Sequence, residues 1–161
     1  MEYLFDTNIF VESKKNLPMD VWPIFWTKMV ELINSGIIHS IDKVKEEIDR
    51  GGDELTEWVH NNAPKGFFLT QDSAVLTKLA ETISWAQSCP INFTQSAISG
   101  YASVADSYLV ATAAAKNMVL VTYEKSNPQR RNRVMIPDAC NAIGVRSCDL
   151  NTAFRDLGIK I

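Results

Sequence analysis

The chain has 161 residues, 46% of them hydrophobic, and a formal net charge of −3. That suits one compact domain over 1–161 and excludes a disordered chain. The charge also excludes a general polyanion binder, so any nucleic-acid contact has to come from a local patch. No apolar run approaches the roughly 20 residues that cross a bilayer, and Met1-Glu2 carries no basic leader, so no signal peptide is read there. Three cysteines without a CxxC and only two histidines argue against a zinc site or a disulfide framework, and for a reducing cytoplasmic setting.

The first element is a short strand, Tyr3-Leu4-Phe5, apolar throughout as in a parallel sheet buried on both faces. Asp6 then stands at its C-terminal end, where open α/β sheets carry their ligands. Polarity rises through Glu12-Ser13-Lys14-Lys15-Asn16, a short helix and loop. A helix is predicted from Asp20, with Pro23 in its first turn, an apolar stripe from Trp22 to Ile33, and Gly36 as its stop. Ile37-Ile38-His39 reads as a second strand, with Ser40 capping a helix whose inner face is Ile41, Val44 and Ile48. Asp53 caps the next helix. Phe67-Phe68-Leu69 is either a strand or an extended loop, and a longer helix runs from Ser73 to Ser88, before Pro90.

Ser103 is expected to cap a small-residue helix, Ala105 to Lys116, and Met118 to Val121 is the clearest buried strand. A polar, basic loop follows from Tyr123 to Arg133. Val134-Met135-Ile136 reads as a strand, Pro137 opens a short helix, Ile143-Gly144-Val145 reads as an edge strand, and Asp149 caps a last helix. Strands alternating with helices predict a three-layer α/β/α sandwich on a mostly parallel sheet.

Four acids fall where such a sheet would gather them. Asp6 ends the first strand and Glu124 follows the strand through Val121. Asp106 lies in the first turn of the preceding helix, whose antiparallel return brings it to the same edge. At roughly 100° per residue, Glu47 flanks the inner face of its helix while Glu46 points nearly opposite. Such converging carboxylates cannot all stay ionised without a cation. Oxygen-only ligands suit Mg2+ or Mn2+, and metal-assisted hydrolysis of a phosphodiester is the chemistry favoured. Each acid also has a plainer role open to it: Asp6 as a helix N-cap, Asp106 in a capping box with Ser103, Glu47 on a helix surface, Glu124 in a loop.

The order Leu4-Phe5-Asp6-Thr7-Asn8, Val44-x-x-Glu47-Ile48-x-x-Gly51, Ala105-Asp106-x-x-x-Val110-Ala111-x-Ala113 and Val121-Thr122-x-Glu124 resembles the PIN-domain nucleases, including toxin ribonucleases of the VapC type. The resemblance spans nearly the whole chain. It implies a PIN fold, a divalent-metal nuclease acting on RNA, and Asp6, Glu47, Asp106 and Glu124 as the acidic quartet, with Asp6, Asp106 and Glu124 as metal ligands. Thr7, Asn8 and Thr122 take orienting positions. The implied partners are an RNA substrate and a small antitoxin protein, with a second copy of the chain as an option and no membrane. The fourth motif departs from the usual Thr-x-Asp, and Ile136-Pro137-x-x-Cys140 resembles the PIN-like branch that carries Glu there. Glu124 reaches one methylene further than Asp, which leaves Asp138 as the alternative acid.

Lys125, Arg130, Arg131 and Arg133 crowd the loop beside Glu124, either as a phosphate-gripping patch or as a solvated loop. The four tryptophans read as core or interface anchors, and His39 and His60 as structural. Two rival functions stay open. One is a catalytically idle PIN-like module that binds RNA or a protein. The other is a metal-dependent phosphatase, which would need a second acid where Asn8 stands.

Overall fold

The computed structural model describes residues 1–161. Tyr3, Leu4 and Phe5 form β1 (Tyr3–Phe5), buried on both faces. The chain continues through α1 (Thr7–Asn16), α2 (Pro23–Asn34), β2 (Ile38–Ile41), α3 (Asp42–Gly51), α4 (Glu54–Asn62) and β3 (Phe68–Leu69). Then come α5 (Ser73–Ser88), α6 (Gln95–Ser103), α7 (Ala105–Lys116), β4 (Val119–Val121), α8 (Ile136–Ala142), β5 (Ser147–Cys148) and α9 (Leu150–Asp156). All strand pairs are parallel, in the order β3-β2-β1-β4-β5. The helices sandwich this sheet, and the architecture is the three-layer α/β/α one expected.

The strand order decides where a ligand would sit. From β1 the chain steps outward to β2 and β3, then crosses back to β4 and steps outward on the other side. Neighbouring connections therefore diverge between β1 and β4. In open α/β sheets the crevice at such a reversal, beyond the strands' C-terminal ends, is the ligand-binding place. Phe5 pairs with Val121 at that edge, so the turns after β1 and β4 meet there.

Burial of the same apolar stripes that define the helices builds the core. Phe25, Trp26, Met29 and Ile33 of α2 are buried, so most of that stripe is core. Trp26 donates its indole N–H to Leu17 O at 2.7 Å and packs edge-on against Trp58. Trp85 packs on Phe93, while Trp22 stays exposed. His60 pairs with Asp49, and His39 meets the Gly36 carbonyl. Asp53 and Thr56 form a full capping box on α4, and Asp149 accepts from Thr152 N at the start of α9.

Several local expectations are corrected. Ser40 does not cap α3: it lies inside β2, buried, and its hydroxyl bonds across the sheet to Phe5 O at 2.7 Å. Ser103 is the last residue of α6 and donates back to Gly100 O, so it makes no capping box with Asp106, and α7 starts without a side-chain cap. Val134-Met135-Ile136 is buried but is not a strand. Met135 is the N-cap of α8, and Pro137 occupies the first turn, where its missing N–H costs nothing. Ile143-Gly144-Val145 is the C-terminal wrap of α8: Gly144 takes φ +75° and Val145 N bonds back to Cys140 O, a left-handed helix stop. The edge strand follows at Ser147–Cys148. The helix α6, capped by Thr94, is an element that no sequence pattern marks.

Candidate active site

The turn after β1 is tied to the turn after β4 by a closed set of hydrogen bonds. Asp6 N donates to Val121 O at 3.0 Å, so the acid's main chain still belongs to the ladder. Its carboxylate accepts from the Thr122 hydroxyl at 2.8 Å. That oxygen accepts in turn from Asn8 Nδ2 and Glu124 N, each at 3.1 Å, which uses the hydroxyl's donor and both lone pairs. Asn8 Oδ1 takes Tyr123 N at 3.2 Å. Asn8 thus orients Asp6 through Thr122 rather than directly. Thr7 acts on Asp6 through its backbone N–H, which stabilises the carboxylate, while its hydroxyl donates to Glu47 Oε2 at 2.6 Å, fixing the acid of α3.

Asp6, Glu47, Asp106 and Glu124 come from four elements to the same end of the sheet, near enough for their charges to repel one another. Glu47 turns toward the cleft and Glu46 is exposed, as the helical period requires. Asp6 occupies the N-cap position of α1 but makes no capping bond with its side chain. Its pKa is pushed up to about 6, by burial first, against the Thr122 hydrogen bond, with Glu124 and Glu47 adding repulsion. Asp106 is pushed up to about 7 by burial, Glu124 and Asp6, with Arg133 opposing. Burial also raises Glu124, against the pull of Arg133. Groups that penalise one another's charge at a strand edge are costly as structure and common at functional sites.

The basic loop divides. Arg133 reaches the acids, with Nη2 3.3 Å from Glu124 Oε1 and 3.8 Å from Asp106 Oδ2. Arg130 binds Asn132 Oδ1 and still draws Glu124's pKa down. Arg131 turns away to Asn92 O at 2.8 Å. Lys125 lines a neighbouring cleft. Asp138 is not part of the cluster: buried, it accepts from Ser126 Oγ and from Asn127 N, the latter at 3.0 Å, and so pins the loop.

Two clefts adjoin the acids. One, of about 350 Å³, is lined by Glu47, Tyr101, Asp106 and Arg133. The other, of about 500 Å³, is lined by Tyr123, Glu124, Lys125 and Arg146. Tyr101 escaped the sequence reading because α6 did. It is buried beside Asp106 with its hydroxyl bonded to Thr82 at 2.7 Å.

As the side chains stand, no three His, Cys, Asp or Glu groups are gathered to hold a metal ion. All four carboxylates instead have protein partners: Asp6 with Thr122, Glu47 with Thr7, Asp106 with Arg133, and Glu124 with Arg133 and Ile136 N. The donor chemistry fits a hard cation: the ligands are oxygens, they repel one another, and one cationic nitrogen already lies between two of them. No helix is long and apolar enough to cross a membrane.

No curated protein matches the chain. A family model described as a domain of unknown function (DUF4411) matches residues 3–161, and the chain belongs to that family.

Proposed function

We propose that the chain is a PIN-type, divalent-metal-dependent endoribonuclease that hydrolyses phosphodiester bonds of single-stranded or structured RNA. The resemblance of its four motifs extends the proposal to the toxin half of a toxin–antitoxin pair, working in the cytoplasm. One observation carries the reading. Four acids, from the turn after β1, α3, α7 and the turn after β4, lie near enough at the sheet's switch point for their charges to repel, and two of them are pushed up to about pKa 6 and 7.

In this reading Asp6, Asp106 and Glu124 hold Mg2+ or Mn2+. Bound there, the cation supplies positive charge against the phosphate and a lowered pKa for water. Thr122 fixes the Asp6 carboxylate, and the β1–β4 ladder fixes its main chain. Glu47, held by Thr7 and facing the same cleft as Asp106, takes a proton from the attacking water. Arg133, Arg130 and Lys125 present local positive charge to the scissile and flanking phosphates, which a chain of net charge −3 cannot do by its overall field.

The deciding experiment incubates the purified chain with end-labelled single-stranded and hairpin RNAs in Mg2+ or Mn2+, with and without chelator. Metal-dependent internal cleavage that chelator abolishes is expected. Binding of these RNAs without cleavage in either metal favours the idle RNA-binding module instead.

A further inference from the structure

We propose that Arg133 is the internal counter-ion of the acidic centre, and that its guanidinium occupies the position between Asp106 and Glu124 which a divalent cation takes. This rests on the metal-site reading above and adds a competitor to it.

One nitrogen, Nη2, lies 3.3 Å from Glu124 and 3.8 Å from Asp106. The two acids come from different elements, the turn after β4 and the start of α7, so the guanidinium bridges them as a cation would. The bridge is loose. Charge-assisted N–H···O bonds run to about 2.7–2.9 Å, and neither contact is that short or forms a two-pronged fork. Its two carboxylates are largely shielded, at 9% and 20% side-chain exposure, whereas Arg133 is 48% exposed. A half-exposed, loosely held, singly charged group is poorly placed to resist a divalent one.

The chain is anchored on both sides of Arg133, so its side chain can move without displacing the loop. Upstream, Asp138 holds Ser126 and Asn127. Thr94 N bonds Arg131 O at 3.0 Å, and the Arg131 side chain is tied to Asn92 O. Downstream, Val134 and Met135 are buried. Arg133 therefore swings on a fixed pivot. Displaced by the cation, it stays within its own side-chain length of the centre, where its charge meets the phosphate of an arriving RNA. Metal loading and phosphate capture are coupled through this one residue.

The test is calorimetric titration of Mn2+ into the wild type, Arg133→Gln and Arg133→Lys at pH 8 without RNA. Removing a positive charge from beside two ligands should tighten Mn2+ binding by about tenfold in Arg133→Gln, while Arg133→Lys, which keeps the charge, stays near wild type. Wild-type circular dichroism and cooperative melting without metal confirm that the fold is intact, and Arg133→Gln should melt below Arg133→Lys because its two acids have lost their counter-ion. Equal or weaker Mn2+ binding by Arg133→Gln overturns the counter-ion role and leaves the metal site standing. No Mn2+ binding by any of the three at millimolar concentration overturns the metal site and the counter-ion role together.

Discussion

Asp72 and Asp106 both stand at the start of a long helix, and they meet opposite fates. Asp72 caps α5 by accepting from Val75 N, pairs with Lys116, lies at the surface, and has its pKa drawn down by those partners. Asp106 caps nothing, is largely buried, faces Glu124 and Asp6, and is pushed up to about 7. Asp53 and Asp149 follow Asp72: each caps a helix, and hydrogen bonding holds each pKa low. Asp6 follows Asp106. The caps are acids that the local backbone calls for. The crevice acids have no local use that matches what their burial costs, and this separates two kinds of carboxylate within one chain, the capping and the crevice.

The largest effect expected of breaking that contrast is on cleavage. Asp6→Asn and Asp106→Asn should each abolish RNA hydrolysis at matched Mg2+ or Mn2+, and Asp72→Ala should leave it unchanged. Full activity in either crevice variant removes that acid from the centre.

Glu124 and Asp138 sharpen the contrast inside the site. Glu124→Gln should lower single-turnover cleavage by roughly two orders of magnitude, the scale of a positioned catalytic group. Asp138→Asn should cost less, because its carboxylate is bonded to Ser126 and Asn127 and not to the cluster. If Asp138→Asn is the more damaging, the quartet has to be redrawn.

Stability should separate the two kinds of acid by sign. A carboxyl whose folded pKa is raised penalises the folded state once pH exceeds its unfolded value, near 3.8, and the penalty is complete above the folded value. Without divalent metal, stability should therefore lose ground between about pH 4 and pH 7 through Asp6 and Asp106. At pH 8, Asp106→Asn should raise the melting midpoint by roughly 5 °C, with the gain vanishing near pH 4. Asp72→Ala should lower it by roughly 2–4 °C at pH 8. A destabilised Asp106→Asn, followed by circular dichroism in chelator, breaks the contrast.

The smallest effect concerns the loop. Replacing Arg130 and Arg131 by Ala should weaken RNA binding modestly and reduce its salt slope by at most about one per residue. Arg131 should contribute the lesser part, since its guanidinium is already engaged by Asn92 O. A fluorescence-anisotropy salt series in chelator measures it, and an unchanged slope leaves these arginines as solvated loop.

What could be read from the residues was whatever depends on period and position. An unbroken apolar run before Asp6 and another before Thr122 announced two buried parallel strands with an acid beyond each. The helical period chose Glu47 over Glu46. What stayed hidden depends on partners remote in sequence. Thr7 finds Glu47 forty residues away, and Ser40, which looks like a helix cap, finds the Phe5 carbonyl inside the sheet. Val134 and Met135 are apolar because they lie under a helix start, not because they pair in the sheet. The α6 segment is built from small and polar residues around Gly100, so no stripe marks it. Asp138 resembles a site acid until its two loop partners are seen.

Both outer strands of the sheet, β3 and β5, are only two residues long. An outer strand exposes a row of unpaired main-chain groups, and a short one exposes few. An extended peptide therefore finds little here to lengthen the sheet with, and the fold is guarded against edge-to-edge aggregation between copies. Strand addition has few main-chain groups to use here, so side chains on the helices and around the crevice are the larger surface a partner could engage.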